Sequence, residues 1–227
     1  MAALQNKNNK DIIQLLIDNC EDVNAQDEFG TTPLIVALKI KNNKDIIQLL
    51  INNGADVNAQ DEFDRTPLIV ALKIKNNKDI IQLLIDNGAD VNAINNNGIT
   101  PLMVALINKN DKDIIQLLLN HGANVNTSNI TGNTPLMLAL INKNDKDIIQ
   151  LLLDNGADVN AIDNHNDTPL ILALIKKIDK YIIQLLLDNG ADDALETLQE
   201  KINESDYETE MLLFIDEYYN NSMYVII

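Results

Sequence analysis

TPLIVALKIKNNKDIIQLLIDNGADVNAINNNGI, residues 66–99, is the stretch that decides the fold. Its opening triplet, Thr66-Pro67-Leu68, also stands at Thr32-Pro33-Leu34, Thr100-Pro101-Leu102, Thr134-Pro135-Leu136 and Thr168-Pro169-Leu170. The spacing is 34 residues each time, and these triplets hold all five prolines of the 227-residue chain. A fixed period of this length marks a repeat architecture. Thr is a good N-cap, and Pro at the first helical position has its φ already set for a helix. Each triplet therefore opens a first helix, with Leu and Ala recurring at helical spacing behind it.

A polar break follows, Lys41-Asn42-Asn43-Lys44 in the first full copy. Its third position is Asn9, Asn43, Asn77, Asp111, Asp145 or Asp179, which predicts the N-cap of a second helix. That helix carries Asp-Ile-Ile-Gln-Leu-Leu, with Ile46, Leu49 and Leu50 on one apolar stripe. Gly54, Gly88, Gly122, Gly156 and Gly190 stand where a left-handed residue ends a helix. The turn that follows carries Gly30, Asp64, Gly98, Gly132 or Asn166, the residue types that tolerate positive φ. One such unit cannot bury its own apolar face, whereas a stack can.

Thr-Pro-Leu, then Leu-Leu, then Gly-Ala-Asp-Val-Asn-Ala closely resembles the ankyrin repeat over roughly residues 1–193. The resemblance implies an all-α solenoid of stacked helix-turn-helix units with short turn hairpins. One domain over 1–227 is expected: a partial repeat at 1–31, repeats at 32–65, 66–99, 100–133, 134–167 and 168–193, and acidic capping helices at 194–227. Two departures stand out. The unit has one residue more than the family's usual length, placed between the helices. The His that usually follows Thr-Pro-Leu is Ile35, Ile69, Met103, Met137 or Ile171, so an apolar side chain must pack in its place.

Composition narrows the function. The net charge is −17, which disfavours nucleic acid and anionic membranes and would steer a basic partner surface toward the chain. Ten acids against the single base Lys201 lie between Asp192 and Glu217. One cysteine, Cys20, permits no internal disulfide. No apolar run is long enough to span a bilayer, and Met1 to Asp11 has no signal-peptide character, so a cytoplasmic protein, or one delivered into a host cytoplasm, is expected. His121 and His165 have no positioned partner recognisable in the sequence, and no metal-ligand spacing or phosphate loop is present. No catalytic residue, cofactor or metal is expected. The apolar tail Met223 to Ile227 reads as packing on the last helices rather than as a recognition motif.

Where the copies agree, the residues serve the fold; where they differ, they are free to serve a partner. Thr32–Ile51 and Thr66–Ile85 are identical, so attention falls on the turn tips. The resemblance implies a binding face built from these tips and the first helices. The candidate partner-binding residues are Glu28, Phe29, Thr31, Glu62, Phe63, Arg65, Asn96, Asn97, Ile99, Ile130, Asn133, His165 and Asp167. Two of the three Phe residues and the sole Arg are among them, and such side chains often anchor interfaces. With Asp27, Glu28, Asp61 and Glu62 alongside, an apolar and basic epitope is expected. Asn58, Asn92, Asn126 and Asn160 resemble positions that asparagine hydroxylases modify in the family; the simpler expectation is that each bonds its own turn. The reading is a monomeric protein-binding module, with a host-directed effector or inhibitor as its specific form. The alternatives are a targeting arm of an enzymatic complex and a passive scaffold.

Overall fold

The computed structural model describes residues 22–40, 43–74, 77–192 and 213–215. The expectations for the partial repeat up to residue 21, for Cys20, for Lys41-Asn42 and for the tail from 216 lie outside them. The described helices come in pairs, one pair per repeat, and no strand occurs among the described residues. The pairs are α1 (Pro33–Leu38) with α2 (Lys44–Asn52), α3 (Pro67–Leu72) with α4 (Lys78–Asp86), α5 (Pro101–Ile107) with α6 (Lys112–Asn120), α7 (Pro135–Ile141) with α8 (Lys146–Asp154), and α9 (Pro169–Ile175) with α10 (Lys180–Asp188). The chain divides into two compact units, Met1–Asn124 and Val125–Ile227.

Every first helix starts as the sequence dictates. The Thr is extended, and its Oγ1 accepts the N–H three residues on at 3.2–3.4 Å, with Pro at the start of the helix. These helices are six or seven residues long and marginal by themselves; packing holds them. In the first unit α1 packs on α3 and α3 on α5, and each first helix packs on its own second helix. In the second unit α7 packs on α9 and α8 on α10. Leu34, Leu68, Leu102, Leu136 and Leu170, with Ala37, Ala71, Ala105, Ala139 and Ala173, are fully buried. So are Ile35, Ile69, Met103 and Met137, with Ile171 at 1% exposure, so an apolar side chain does pack where the family's His would stand.

The second helices stop at the expected glycines, whose φ of 81–88° is the left-handed value. One residue earlier, Asn53, Asn87, Asn155 and Asn189 donate their Nδ2 to the carbonyl four residues back at 2.8 Å. In the third repeat His121 Nδ1 takes this role on the Leu117 carbonyl at 2.8 Å, a hydrogen bond that requires the tautomer protonated at Nδ1.

The starts of the second helices differ from expectation in mechanism. Asn43, Asn77, Asp111, Asp145 and Asp179 do occupy the N-cap position, yet only Asp179 caps with its side chain, accepting the Tyr181 N–H at 2.8 Å. Asn43 and Asn77 are buried and turn the other way, donating to Ala37 and Ala71 carbonyls at the end of the preceding helix at 3.4 Å. Each of those carbonyls also accepts the N–H three residues on, from Ile40 at 3.2 Å and Ile74 at 3.1 Å, so the amide adds a second bond at the helix end. In the later repeats Lys109, Lys143 and Lys177 take φ of 51–52°, and Asn110, Asn144 and Ile178 are buried beneath them. Asn110 reaches back a whole repeat, donating to the Leu72 carbonyl at 2.9 Å.

Exposed charges run along the second helices. Lys44 pairs with Asp79 at 3.3 Å and Lys78 with Asp113 at 2.6 Å, and each pair adds little to stability because both groups are wet. Lys78 holds the Asp113 carboxyl below its ordinary range. In the second unit aromatics stand in for the acid: Lys146 lies over the Tyr181 ring at 5.2 Å and Lys180 over the Phe214 ring at 4.1 Å. Of the expected capping helices, residues 213–215 are described; they are helical, and Ile215 is fully buried.

Candidate partner-binding surface

Each tip is built on one acid or amide. Asp27, Asp61, Asn95, Asn129 and Asp163 each accept, on a single Oδ1, the N–H groups two and four residues on, at 2.8–3.0 Å. This folds five residues around one oxygen and pushes the residue at the second position outward. That position holds Phe29, Phe63, Asn97, Thr131 and His165, all exposed. The turn closes through a left-handed residue, and Asp64 (φ 52°) and Asn166 (φ 57°) adopt this conformation as Gly30, Gly98 and Gly132 do. In the sequence Asp27 and Asp61 read as outward charges beside the Phe residues. Only the strict 34-residue recurrence of Asp or Asn at this position signalled their structural role.

In the first unit, Phe29 is 50% exposed and Phe63 54%. The Phe29 carbonyl accepts the Glu62 N–H at 3.0 Å, which ties their tips directly. Glu28 and Glu62 are exposed, as are Asn96 and Asn97, while Ile99 is half-buried. Two candidates are placed otherwise than expected. Thr31 is buried, because its N–H is drawn to Asp27 and its carbonyl accepts the Asp27 N–H at 3.2 Å, turning the residue inward. Arg65 is half-buried and already engaged: its Nε donates to Asp61 Oδ2 at 2.8 Å, and its guanidinium carbon lies 4.7 Å from the centre of the Phe63 ring. It stiffens the tip and offers no spare charge.

Asp61 is 4% exposed. Burial works against its ionisation, but the Arg65 side chain, then the Arg65 and Phe63 N–H groups, outweigh it and hold the carboxyl below its ordinary range. Asp27 is held low as well, first by the Thr31 N–H and, against the cost of burial, by the Phe29 N–H.

In the second unit Ile130 is exposed, and its carbonyl accepts the Asn164 Nδ2 at 3.0 Å. Asn133 is half-buried, its Nδ2 donating to Thr131 Oγ1 at 2.7 Å. His165 is exposed, with Nδ1 3.6 Å from Asp163 Oδ2, and Asp167 is half-buried with its N–H on Asp163. Sequence reasoning missed Ile94 and Ile162, 55% and 62% exposed, which stand where the first two copies have Gln26 and Gln60. Ile94 borders a hollow in the first unit lined also by Asn58, Gln60, Asp90 and Asn92.

The Asn series behaves differently from expectation. Asn24 does not spend its side chain on its own turn; its Nδ2 donates to the Gly54 carbonyl at 3.0 Å and its Oδ1 accepts the Asp56 N–H at 2.7 Å, both in the next repeat. Asn58 and Asn92 in the first unit, and Asn126 and Asn160 in the second, repeat this two-bond bridge at 2.8–3.0 Å. Within the turn the acid two residues before does the local bonding instead, with Asp56 Oδ1 accepting the Asn58 N–H at 2.8 Å and Asp90 doing the same for Asn92.

Among the described residues no group of three or more His, Cys, Asp or Glu side chains could hold a metal ion, and no helix is long and apolar enough to cross a membrane. No curated protein gives a significant match. A family model described as ankyrin repeats (3 copies) matches residues 1–95, 35–129, 73–163 and 127–197. The matched residues include the Thr-capped first helices, the buried Ala positions and the Asn bridges between turns, and the chain belongs to the ankyrin-repeat family.

Proposed function

We propose that the chain is a protein-recognition module whose first unit docks an apolar, basic segment of a partner on the tips of Phe29 and Phe63. Ankyrin repeats are generally modules of protein–protein interaction. The observation that carries the specific reading is the pair of half-exposed Phe rings on consecutive, hydrogen-bonded tips, flanked by Glu28 and Glu62. Large apolar residues so exposed on ordered turns cost little entropy to bury against a partner. Arg65 is consumed by Asp61, so the outward charge of these tips is negative, which selects a basic partner and speeds its approach at low salt.

The test is selection of peptides from a displayed random library on the intact chain. Enriched sequences should pair large apolar residues with Lys or Arg. Phe29→Ala and Phe63→Ala should each weaken binding by about 2 kcal/mol, roughly 30-fold in Kd, with helical circular dichroism unchanged. Enrichment of acidic peptides, or affinities indifferent to both substitutions, would refute the assignment.

A further inference from the structure

Asn-Gly is the dipeptide whose peptide nitrogen most readily attacks the preceding side-chain amide, since glycine puts no side chain in the way of the ring that forms. The sequence has five: Asn53-Gly54, Asn87-Gly88, Asn97-Gly98, Asn155-Gly156 and Asn189-Gly190. The fold treats four of them alike and one differently. At the four helix ends the Asn carboxamide donates to the carbonyl one turn back at 2.8 Å. There the glycine N–H, which supplies the nucleophilic nitrogen, donates to Ile51, Ile85, Leu153 or Leu187 at 2.9–3.0 Å. The Asn N–H is also bound, at 3.2 Å to Leu49 and Leu50 in the first copy. Closing a ring at these sites would break the whole helix stop.

Asn97 is exposed on its tip. Its N–H bonds Asn95 Oδ1 at 2.9 Å and the Gly98 N–H bonds the Asn95 carbonyl at 2.8 Å, but its carboxamide makes no hydrogen bond among the described residues. The tips at 61–65 and 163–167 are each steadied by a backbone bond from the tip before, Glu62 N–H to Phe29 and Asn164 N–H to Thr131. Among the described residues no such bond reaches the tip at 95–99. Ring closure here disturbs one short turn, the kind of element that opens locally at small cost.

We propose that Asn97 is a site of spontaneous deamidation and that the fold shields the other four Asn-Gly pairs. The Gly98 nitrogen gives its proton to water or hydroxide and attacks Asn97 Cγ. The Cγ–Nδ2 bond breaks and ammonia leaves. The succinimide takes up one water and opens at either carbonyl, leaving an aspartyl or an isoaspartyl residue at position 97. The overall change is amide plus water to acid plus ammonia, with no redox step. A new carboxylate then faces outward from the tip position that holds Phe29 and Phe63 in the two preceding repeats. The isoaspartyl product also lengthens the backbone inside the turn and pulls Gly98 away from the Asn95 carbonyl. The modification is independent of the binding surface proposed above; only its effect on a partner rests on that reading.

The experiment incubates the full chain in mildly alkaline buffer and maps digested time points by mass spectrometry, with isoaspartyl peptides separated chromatographically. Conversion at 97 should outrun that at each helix-end pair by on the order of tenfold or more. In denaturing urea, where the hydrogen bonds are gone, the five sites should converge. Asn97→Gln should remove the fast-forming species without moving the unfolding midpoint. A folded chain in which 97 reacts no faster than the helix ends would overturn the proposal, and so would a preference for 97 that survives in urea.

Discussion

The tips at 26–30 and 60–64 begin with the same four residues, Gln-Asp-Glu-Phe, and end differently, in Gly30-Thr31 and in Asp64-Arg65. The same start gives the same turn: one carboxylate oxygen receives two N–H groups and the Phe is pushed outward. The different ends decide how firmly that turn is held. Arg65 occupies the free oxygen of Asp61 and lies over Phe63, so carboxylate, guanidinium and ring form one closed set. Tip 27–31 has no such third member: Thr31 folds inward, and Asp27 remains exposed. The lesson is that identical exposed anchors need not be equally preorganised. Phe63 is a stiff anchor, and Phe29 depends on its neighbour's N–H.

Removing the carboxylates separates the two tips most widely. Asp61→Ala should cost about 2–3 kcal/mol, from two lost N–H bonds and a stranded, half-buried guanidinium. Asp27→Ala should cost less, since Asp27 is exposed and strands no guanidinium. Urea midpoints of the full chain would measure both, and equal losses would erase the distinction.

Arg65→Ala should cost about 1 kcal/mol at neutral pH, through one charged hydrogen bond and one cation–π contact. The folded Asp61 carboxyl lies below its unfolded value, so its ionisation stabilises the fold at pH above the ordinary carboxylate range. That stability is lost as pH falls through the lowered folded value. Without Arg65 the depression is smaller, and acid unfolding should begin at higher pH. Acid titrations followed by circular dichroism should show this shift for Arg65→Ala and a smaller one for Thr31→Ala, whose hydroxyl helps to hold Asp27 low.

The left-handed residue gives a smaller effect of opposite sign in the two tips. Asp64→Gly should gain roughly 0.5–1 kcal/mol by relieving a side chain at φ 52°. Gly30→Asp should lose a similar amount or slightly more, about 1 kcal/mol, because its new Cβ would also come within 3.3 Å of the Asp61 backbone. Thermal midpoints would resolve the pair. The smallest effect is the graft: Thr31→Arg should raise the thermal midpoint slightly by rebuilding on Asp27 the clamp of Asp61. An unchanged melt would mean that more than the two side chains makes the clamp.

The local grammar of the repeat was open to reading in the residues. Thr-Pro starts, Gly stops, the left-handed places at Asp64 and Asn166 and the burial of Ile35 and Met103 all depend on a residue and its near neighbours. The choices that escaped reading depend on which acceptors the folded backbone, of the same repeat or the next, brings within reach. Asn43 could have capped its own helix but finds the Ala37 carbonyl, and Asn58 could have closed its own turn but finds Gly88 and Asp90. Arg65 looks in sequence like a free charge on a tip; that it closes on Asp61 follows from a turn geometry that brings the fourth residue back over the first. Thr31 was misplaced for the same reason. In the candidate surface, the residue types at the tips were visible and their direction was not.

The Asn bridges have a consequence for how such a chain changes length. Within each unit a repeat offers one carboxamide forward and receives one at its glycine carbonyl and the N–H two residues on. Every junction uses the same donor and acceptor at the same offset, so a whole repeat copied between two others finds both bonds waiting for it. A fragment of a repeat does not, and leaves a carbonyl and an N–H without their amide at the seam. Gene duplication in steps of one complete period therefore keeps both bridge bonds, whereas any other step loses them. The 20 residues shared without change by Thr32–Ile51 and Thr66–Ile85 are what such a copying step would leave behind.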